Sequence, residues 1–253
     1  MPIALGRRLT GRERTADGNR LLGYALAFVA GATNAGAFVA VRQYTSHITG
    51  TLSSFADAVV IGQWSTALAA LGAVASFAVG ALMCALLVNF GRRRNWQSVY
   101  ATPLLLEAAL LLAFGLLGAR YTHIWPRLVP ATVALLCFTM GLQNAMITKV
   151  SNAEIRTTHM TGVVTDLGIE FGRLLYVNRN DGLAPVVADH QRILVLTLLV
   201  MSFSVGGVVG AIGFSRIGFA ATIPLAVVLV ALSAVPTADD LRDYWRTRRR
   251  DTA

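Results

Sequence analysis

Two six-residue stretches hold the residue types best suited to chemistry: Thr45-Ser46-His47-Ile48-Thr49-Gly50 and Thr157-Thr158-His159-Met160-Thr161-Gly162. Hydroxyls, an imidazole and a glycine in that order suit the start of a short helix that faces a ligand. Thr49 and Thr161 read as N-caps, whose oxygens accept from free backbone N–H groups. Gly50 and Gly162 leave the first turn bare, and the positive end of such a helix favours an anion or a carboxylate. His47 and His159 could donate to that ligand or carry a proton. Asn34 and Asn144 lie within the apolar segments that precede the two motifs and could complete the site by hydrogen bonds. A structural reading stands beside this one, because Asn, Thr and His in membrane helices often only bond a neighbouring helix.

Acidic residues inside apolar segments form the second candidate set, since charge there is expensive and often functional. Asp166 is the best candidate for proton or ion coupling, followed by Glu107 and Asp57. Ser54 stands where the first copy would carry a counterpart of Asp166, so any coupling would be asymmetric. Glu170 and Arg173, three apart on one helix face, read as an ion pair.

The elements that must position these residues repeat. Phe28, Gly31 and Asn34-Ala35 precede the first motif; Phe138, Gly141 and Asn144-Ala145 precede the second at matched offsets. The interval from Asn to His is 13 residues in one copy and 15 in the other. This is an internal duplication.

Composition places the duplication in a membrane. Of 253 residues 55% are hydrophobic and only 14% charged, against about 25% charged in soluble domains. The net charge of +9 sits in tails and loops, where basic residues set topology, so it speaks against a nucleic-acid partner. Cys84 and Cys137 are far apart within apolar segments and read as packing residues. No nucleophile elbow, zinc-protease motif or phosphate loop appears, and the histidines are too scattered for a metal site. The chain therefore reads as a non-enzyme without cofactors.

Full spans are expected at 21–41, 66–90, 99–118, 128–148, 193–214 and 217–235, with shorter apolar segments at 50–62 and 160–177. The loop 119–127 carries Tyr121, His123 and Trp125, aromatics suited to an interface. A basic cytoplasmic tail covers 1–20, one membrane repeat 21–119, the other 128–235, and a second basic cytoplasmic tail 236–253. If all eight apolar segments crossed, 7 of the 22 Lys and Arg residues would lie outside. If the two short segments enter and return, only Arg42, Arg120, Arg127 and Arg216 do, 4 of 22. The positive-inside rule favours the second arrangement. The expected fold is an all-α polytopic membrane protein of two inverted repeats, each with three transmembrane helices and one short re-entrant helix. Interrupted helices meeting at the midplane are the architecture of many secondary transporters.

The residues Gly31-x-x-Asn34-Ala35, Thr45-x-His47-x-Thr49-Gly50, Gly141-x-x-Asn144-Ala145 and Thr157-Thr158-His159-Met160-Thr161-Gly162 resemble the bacterial YoaK family, membrane proteins of about this length catalogued as a domain of unknown function. The resemblance runs over roughly 21–235. It implies a multi-pass protein of the bacterial inner membrane and brings no substrate with it. The functional expectation is a transporter of a small solute or ion, with an anion or carboxylate favoured. A non-transporting scaffold or sensor subunit and a channel are the alternatives. The lipid bilayer is one expected partner, and the glycine-rich spans would permit a homodimer.

Overall fold

The structure, a computed structural model, describes residues 10, 15–120, 125–151, 155–179 and 184–251. The aromatic loop residues Tyr121 and His123, the side chain of Trp125, and most of the N-terminal tail lie outside the described residues. All regular elements among the described residues are helical. They are α1 (Ala16–Val41), α2 (Ile48–Val60), α3 (Trp64–Arg93), α4 (Ala101–Arg120), α5 (Trp125–Val150), α6 (Met160–Leu175), α7 (His190–Ile217) and α8 (Thr222–Asp251).

Local chemistry explains the helix ends. Thr15 caps α1 by accepting the Gly18 N–H at 3.1 Å, so the helix starts five residues before its apolar stretch. Its C-cap is Arg42, in the left-handed region at φ 57°, whose N–H returns to the Phe38 carbonyl. Arg92 and Arg93 occupy the last turn of α3, where cations meet the negative end of the helix. Asp189 caps α7 through the Arg192 N–H at 3.0 Å. α8 continues through Pro236 to Asp251, so the expected tail from 236 is helical over that range.

Five helical stretches are long and apolar enough to cross a membrane: Ala16–Val41, Trp64–Arg93, Ala101–Arg120, Val129–Val150 and His190–Arg242. The last, 53 residues long, is broken at Gly218, where φ is 58°, and a 3-10 turn over Gly218–Ala221 separates α7 from α8. This is a multi-pass membrane protein. α2, with 13 residues, reaches about 20 Å at 1.5 Å per residue, short of the roughly 30 Å hydrocarbon core. It doubles back onto α3 through a turn at Gly62, φ 73°.

The helices pack in pairs: α1 on α7, α3 on α5 and α4 on α8, with α1 also meeting α5. If α1 is matched with α5, α3 with α7 and α4 with α8, exchanging the halves leaves this scheme unchanged. The closest approaches repeat one device. Phe28-x-x-Gly31 on α1 faces Phe203-x-x-Gly206 on α7, and Phe77-x-x-Gly80 on α3 faces Phe138-x-x-Gly141 on α5. A Cβ at any of the four glycines would overlap the carbonyl of the facing phenylalanine. Missing side chains thus let the backbones touch, the usual means of tight helix association where lipid weakens the hydrophobic drive.

Hydrogen bonds and contacts give directions. Asn19 Nδ2 donates to the Val150 carbonyl at 3.3 Å and Gln143 Nε2 to the Leu26 carbonyl at 3.4 Å. Residue numbers rise on α1 as they fall on α5, so these two helices are antiparallel. Gly23 lies beside Leu199 and Gly36 beside Phe214, so α1 and α7 are parallel. Gly115 meets Thr222, while the N–H groups of Gln97 and Ser98 donate to Asp240 at 2.7 and 2.8 Å; α4 and α8 are antiparallel. α5 is the most enclosed helix and α3 among the least. Leu68, Leu82 and Leu86 of α3 are exposed, as expected of a lipid-facing surface.

Candidate functional site

Both motifs are folded back against the asparagine of the preceding helix. Asn34 Oδ1 accepts the N–H groups of Thr45 and Ser46 at 3.1 and 3.2 Å. Asn144 Oδ1 accepts the Thr158 hydroxyl at 2.5 Å, and its Nδ2 donates to the Met140 carbonyl at 3.0 Å. The carbonyl oxygens of both asparagines are therefore occupied in holding the motif chain. Seven residues separate Asn34 from the end of α1 at Val41, about 10 Å along the helix. The chain leaves α1 at Val41 and returns to that depth before α2 begins.

The short helices start two residues earlier than the capping pattern implies. Thr49 and Thr161 are second residues of α2 and α6, not N-caps. The N-cap positions are His47 and His159, and neither side chain makes a cap bond. The threonine carbonyls instead accept from hydroxyls one turn on, Thr49 from Ser53 at 3.2 Å and Thr161 from Thr165 at 2.8 Å. Both helix starts are consequently bare of side-chain caps, which preserves the anion-binding character of their N–H groups.

The two motifs meet. A cavity of about 310 Å3 is lined by Asn34, Tyr44, Ser46 and His47 from the first half and Thr158, Met160, Thr161 and Phe203 from the second. Thr45 and Thr157, the first residues of the motifs, are buried behind this lining, and their hydroxyls have no partner among the described residues. A second cavity, about 570 Å3, lies on the other side of the second motif, between α6 and the first turns of α7. Arg20, Arg156, His159, Gly162, Asp166 and Arg192 are among its walls.

The equivalent histidines are held differently. A Cβ at Gly50 would overlap the His47 ring, so that ring lies against the first turn of α2. At Gly162 nothing lies within 4 Å of the same position, and His159 faces the larger cavity. Burial, and then the Arg156 charge, pull the His159 pKa below that of an ordinary histidine.

The acids separate. Asp166 lines the larger cavity but is paired with Arg192 at 3.0 Å. Glu170, 1% exposed, takes Arg173 at 2.8 Å and the Asp189 N–H at 3.1 Å, as its spacing implies. Glu107 is fully buried in α4 with both carboxyl oxygens unpartnered among the described residues, and lines neither cavity. Asp57 is exposed on α2, also outside both. Tyr44, Arg156 and Phe203 were not singled out by motif reading. Phe203 had a signal: Ser76-Phe77-x-Val79-Gly80 recurs as Ser202-Phe203-x-Val205-Gly206.

A protein-family model described as "Protein of unknown function (DUF1275)" matches residues 22–235, and the YoaK family falls within it. No curated protein matches the chain, nor does any solved structure.

Proposed function

This chain belongs to the DUF1275 family, and we propose that it moves a small solute, an anion or a carboxylate, by alternating access around the cavity where its two motifs meet. The observation that carries the reading is that 310 Å3 cavity, to which each half contributes its Thr-x-His-x-Thr-Gly stretch. Two bare helix starts converge on it. Among its lining residues the Ser46, Thr161 and Tyr44 hydroxyls, the Asn34 amide nitrogen and the His47 ring supply donors, so that a small acceptor-rich ligand fits its chemistry. Asn34, Thr45, Thr49, Gly50 and His47 serve it from one half, and Asn144, Thr157 and Thr161 from the other, while His159 and Gly162 face the neighbouring cavity. Asp166 is the acid placed for coupling, its carboxylate released when Arg192 lets go.

The directions of the helices support a reading as inverted repeats. α1 and α5 carry matching residues and run antiparallel through the Asn19 and Gln143 bonds. The break at Gly218 divides the 53-residue stretch into two helices, each longer than the roughly 20 residues a crossing needs. This reading has six crossings, with α2 and α6 re-entrant. The positive-inside bias then puts both termini on the cytoplasmic side of a bacterial inner membrane. The unequal histidines support alternation: His47 lies on Gly50 while the space over Gly162 is vacant, and exchange of the two arrangements would open the site to the other side.

The test is thermal melting of the purified protein against a panel of small carboxylates and inorganic anions. Saturation at about 100 times Kd stabilises a two-state protein by about 2.7 kcal/mol. Wild type should respond to at least one solute, and His47→Ala and His159→Ala should each weaken that response without unfolding the protein. Wild-type binding by the double variant removes the assignment. A protein that ignores every solute but co-purifies with a partner is a scaffold, and solute flux without saturation is a channel.

A further inference from the structure

The 570 Å3 cavity has a charge balance of its own. Its charged walls are Arg20, Arg156, Arg192, Asp166 and Asp189, with His159 beside them. Both acids are committed. Asp166 pairs with Arg192 at 3.0 Å, and the Asp189 carboxylate accepts the Arg192 backbone N–H at 3.0 Å. Arg20 reaches Asp17 only at 3.5 Å, and that acid is almost fully exposed. Arg156 has no ion pair among the described residues. The uncapped start of α6 brings Gly162 to the same wall. Three arginines against two acids give this cavity a net cationic wall, and because Arg156, His159 and Asp189 are exposed, its attraction for an anion is open to screening by salt. The motif 157–162 forms the partition, since His159 and Gly162 line this chamber while Thr158, Met160 and Thr161 line the smaller one.

We propose that this chamber is an anion-binding entry site, in which Arg156 and His159 take a small carboxylate or other oxyanion before it passes the second motif. A planar guanidinium matches the two oxygens of such a group. The inference rests on the transport reading only for the role of entrance; the anion preference stands by itself.

The experiment uses full-length protein in nanodiscs of zwitterionic phosphatidylcholine, with Cys84→Ala, Cys137→Ala and one reporter, Val195→Cys, on the chamber wall. Two thiol reagents of similar size are compared, one a sulfonate and one a quaternary ammonium, each rate normalised to a free thiol. The normalised ratio should favour the sulfonate. It should fall about fivefold in Arg156→Gln at low salt, recover in Arg156→Lys, and shrink in wild type as salt screens the charge. Arg216→Gln, in the last turn of α7, should leave it unchanged. Added succinate should slow the reporter. An unreactive reporter, or a ratio indifferent to Arg156→Gln, overturns the proposal. Protection by phosphatidylglycerol but not by succinate overturns the assignment to a soluble anion in favour of a lipid headgroup. If the ratio behaves as expected while no solute stabilises the protein on melting, the anion site stands and the transport reading fails.

Discussion

Gly50 and Gly162 occupy the same place in two copies of one motif and have different neighbours. Alanine at Gly50 must move the His47 ring, a side chain that can swing away, so stability should change by less than about 1 kcal/mol. Solute binding should weaken as in His47→Ala. Alanine at Gly162 meets open space and should leave binding intact, with stability unchanged or raised by up to about 1 kcal/mol through helix propensity. Melting and binding of the two variants side by side check this; equal effects would mean that His47 has no seat on Gly50. A second residue-scale expectation concerns pH. The His159 pKa is lowered in the folded protein, so the unfolded chain binds more protons as pH falls through the ordinary histidine range. Wild-type stability should therefore fall relative to His159→Gln between about pH 7 and pH 5. A difference that is flat with pH, or of opposite sign, would contradict the lowering of that pKa.

At the scale of the element, the glycines divide into those that touch backbone and those that touch nothing. Gly31, Gly80, Gly141 and Gly206 each face a phenylalanine carbonyl on the partner helix. Neither a carbonyl nor its helix can swing aside, so Gly206→Ala should cost about 1–3 kcal/mol. Gly172→Ala on α6, with nothing within 4 Å, should be neutral or stabilising. Chemical denaturation in one detergent compares them directly, and equal costs would mean that the crossings are not close-packed. The Phe-x-x-Gly pattern of α1 and α5 was legible before the fold, as part of the duplication. Its recurrence on α3 and α7 was equally available, in Ser-Phe-x-Val-Gly, but only packing gives it meaning, because each glycine is explained by a carbonyl more than fifty residues away. Thr49 and Thr161 show the opposite failure. Their capping pattern was clear, yet both helices begin two residues earlier. Asn34 and Asn144 hold the incoming chain, a tertiary contact that overrides local preference.

At the scale of the whole molecule, the paired helices leave α1 and α5 enclosed and α3 facing outward, with the two motifs between them. The sidedness of this arrangement is open to a direct test at Arg94, the C-cap of α3. With Cys84→Ala, Cys137→Ala and Arg94→Cys, a membrane-impermeant thiol reagent should label the protein only after cells are lysed. Labelling of intact cells would put that end of α3 outside, give parallel repeats and remove the two-sided site.

Taken alone, the sequence was enough to determine the membrane class, the two matched motifs and the positions of the long helices. Each of these depends on composition or on residues close together along the chain. Apolar runs must be helical in lipid, since no water satisfies their backbone groups, and a repeat is visible without any fold. Tertiary structure alone decided which helices touch, that both motifs line one cavity, that His47 and His159 are held differently, and that Asp166 is tied to Arg192 while Arg156 is left facing a chamber. Those facts depend on distance between residues remote in sequence. A glycine, an arginine or a histidine has the same local signature whether a carbonyl, a carboxylate or open space stands opposite it.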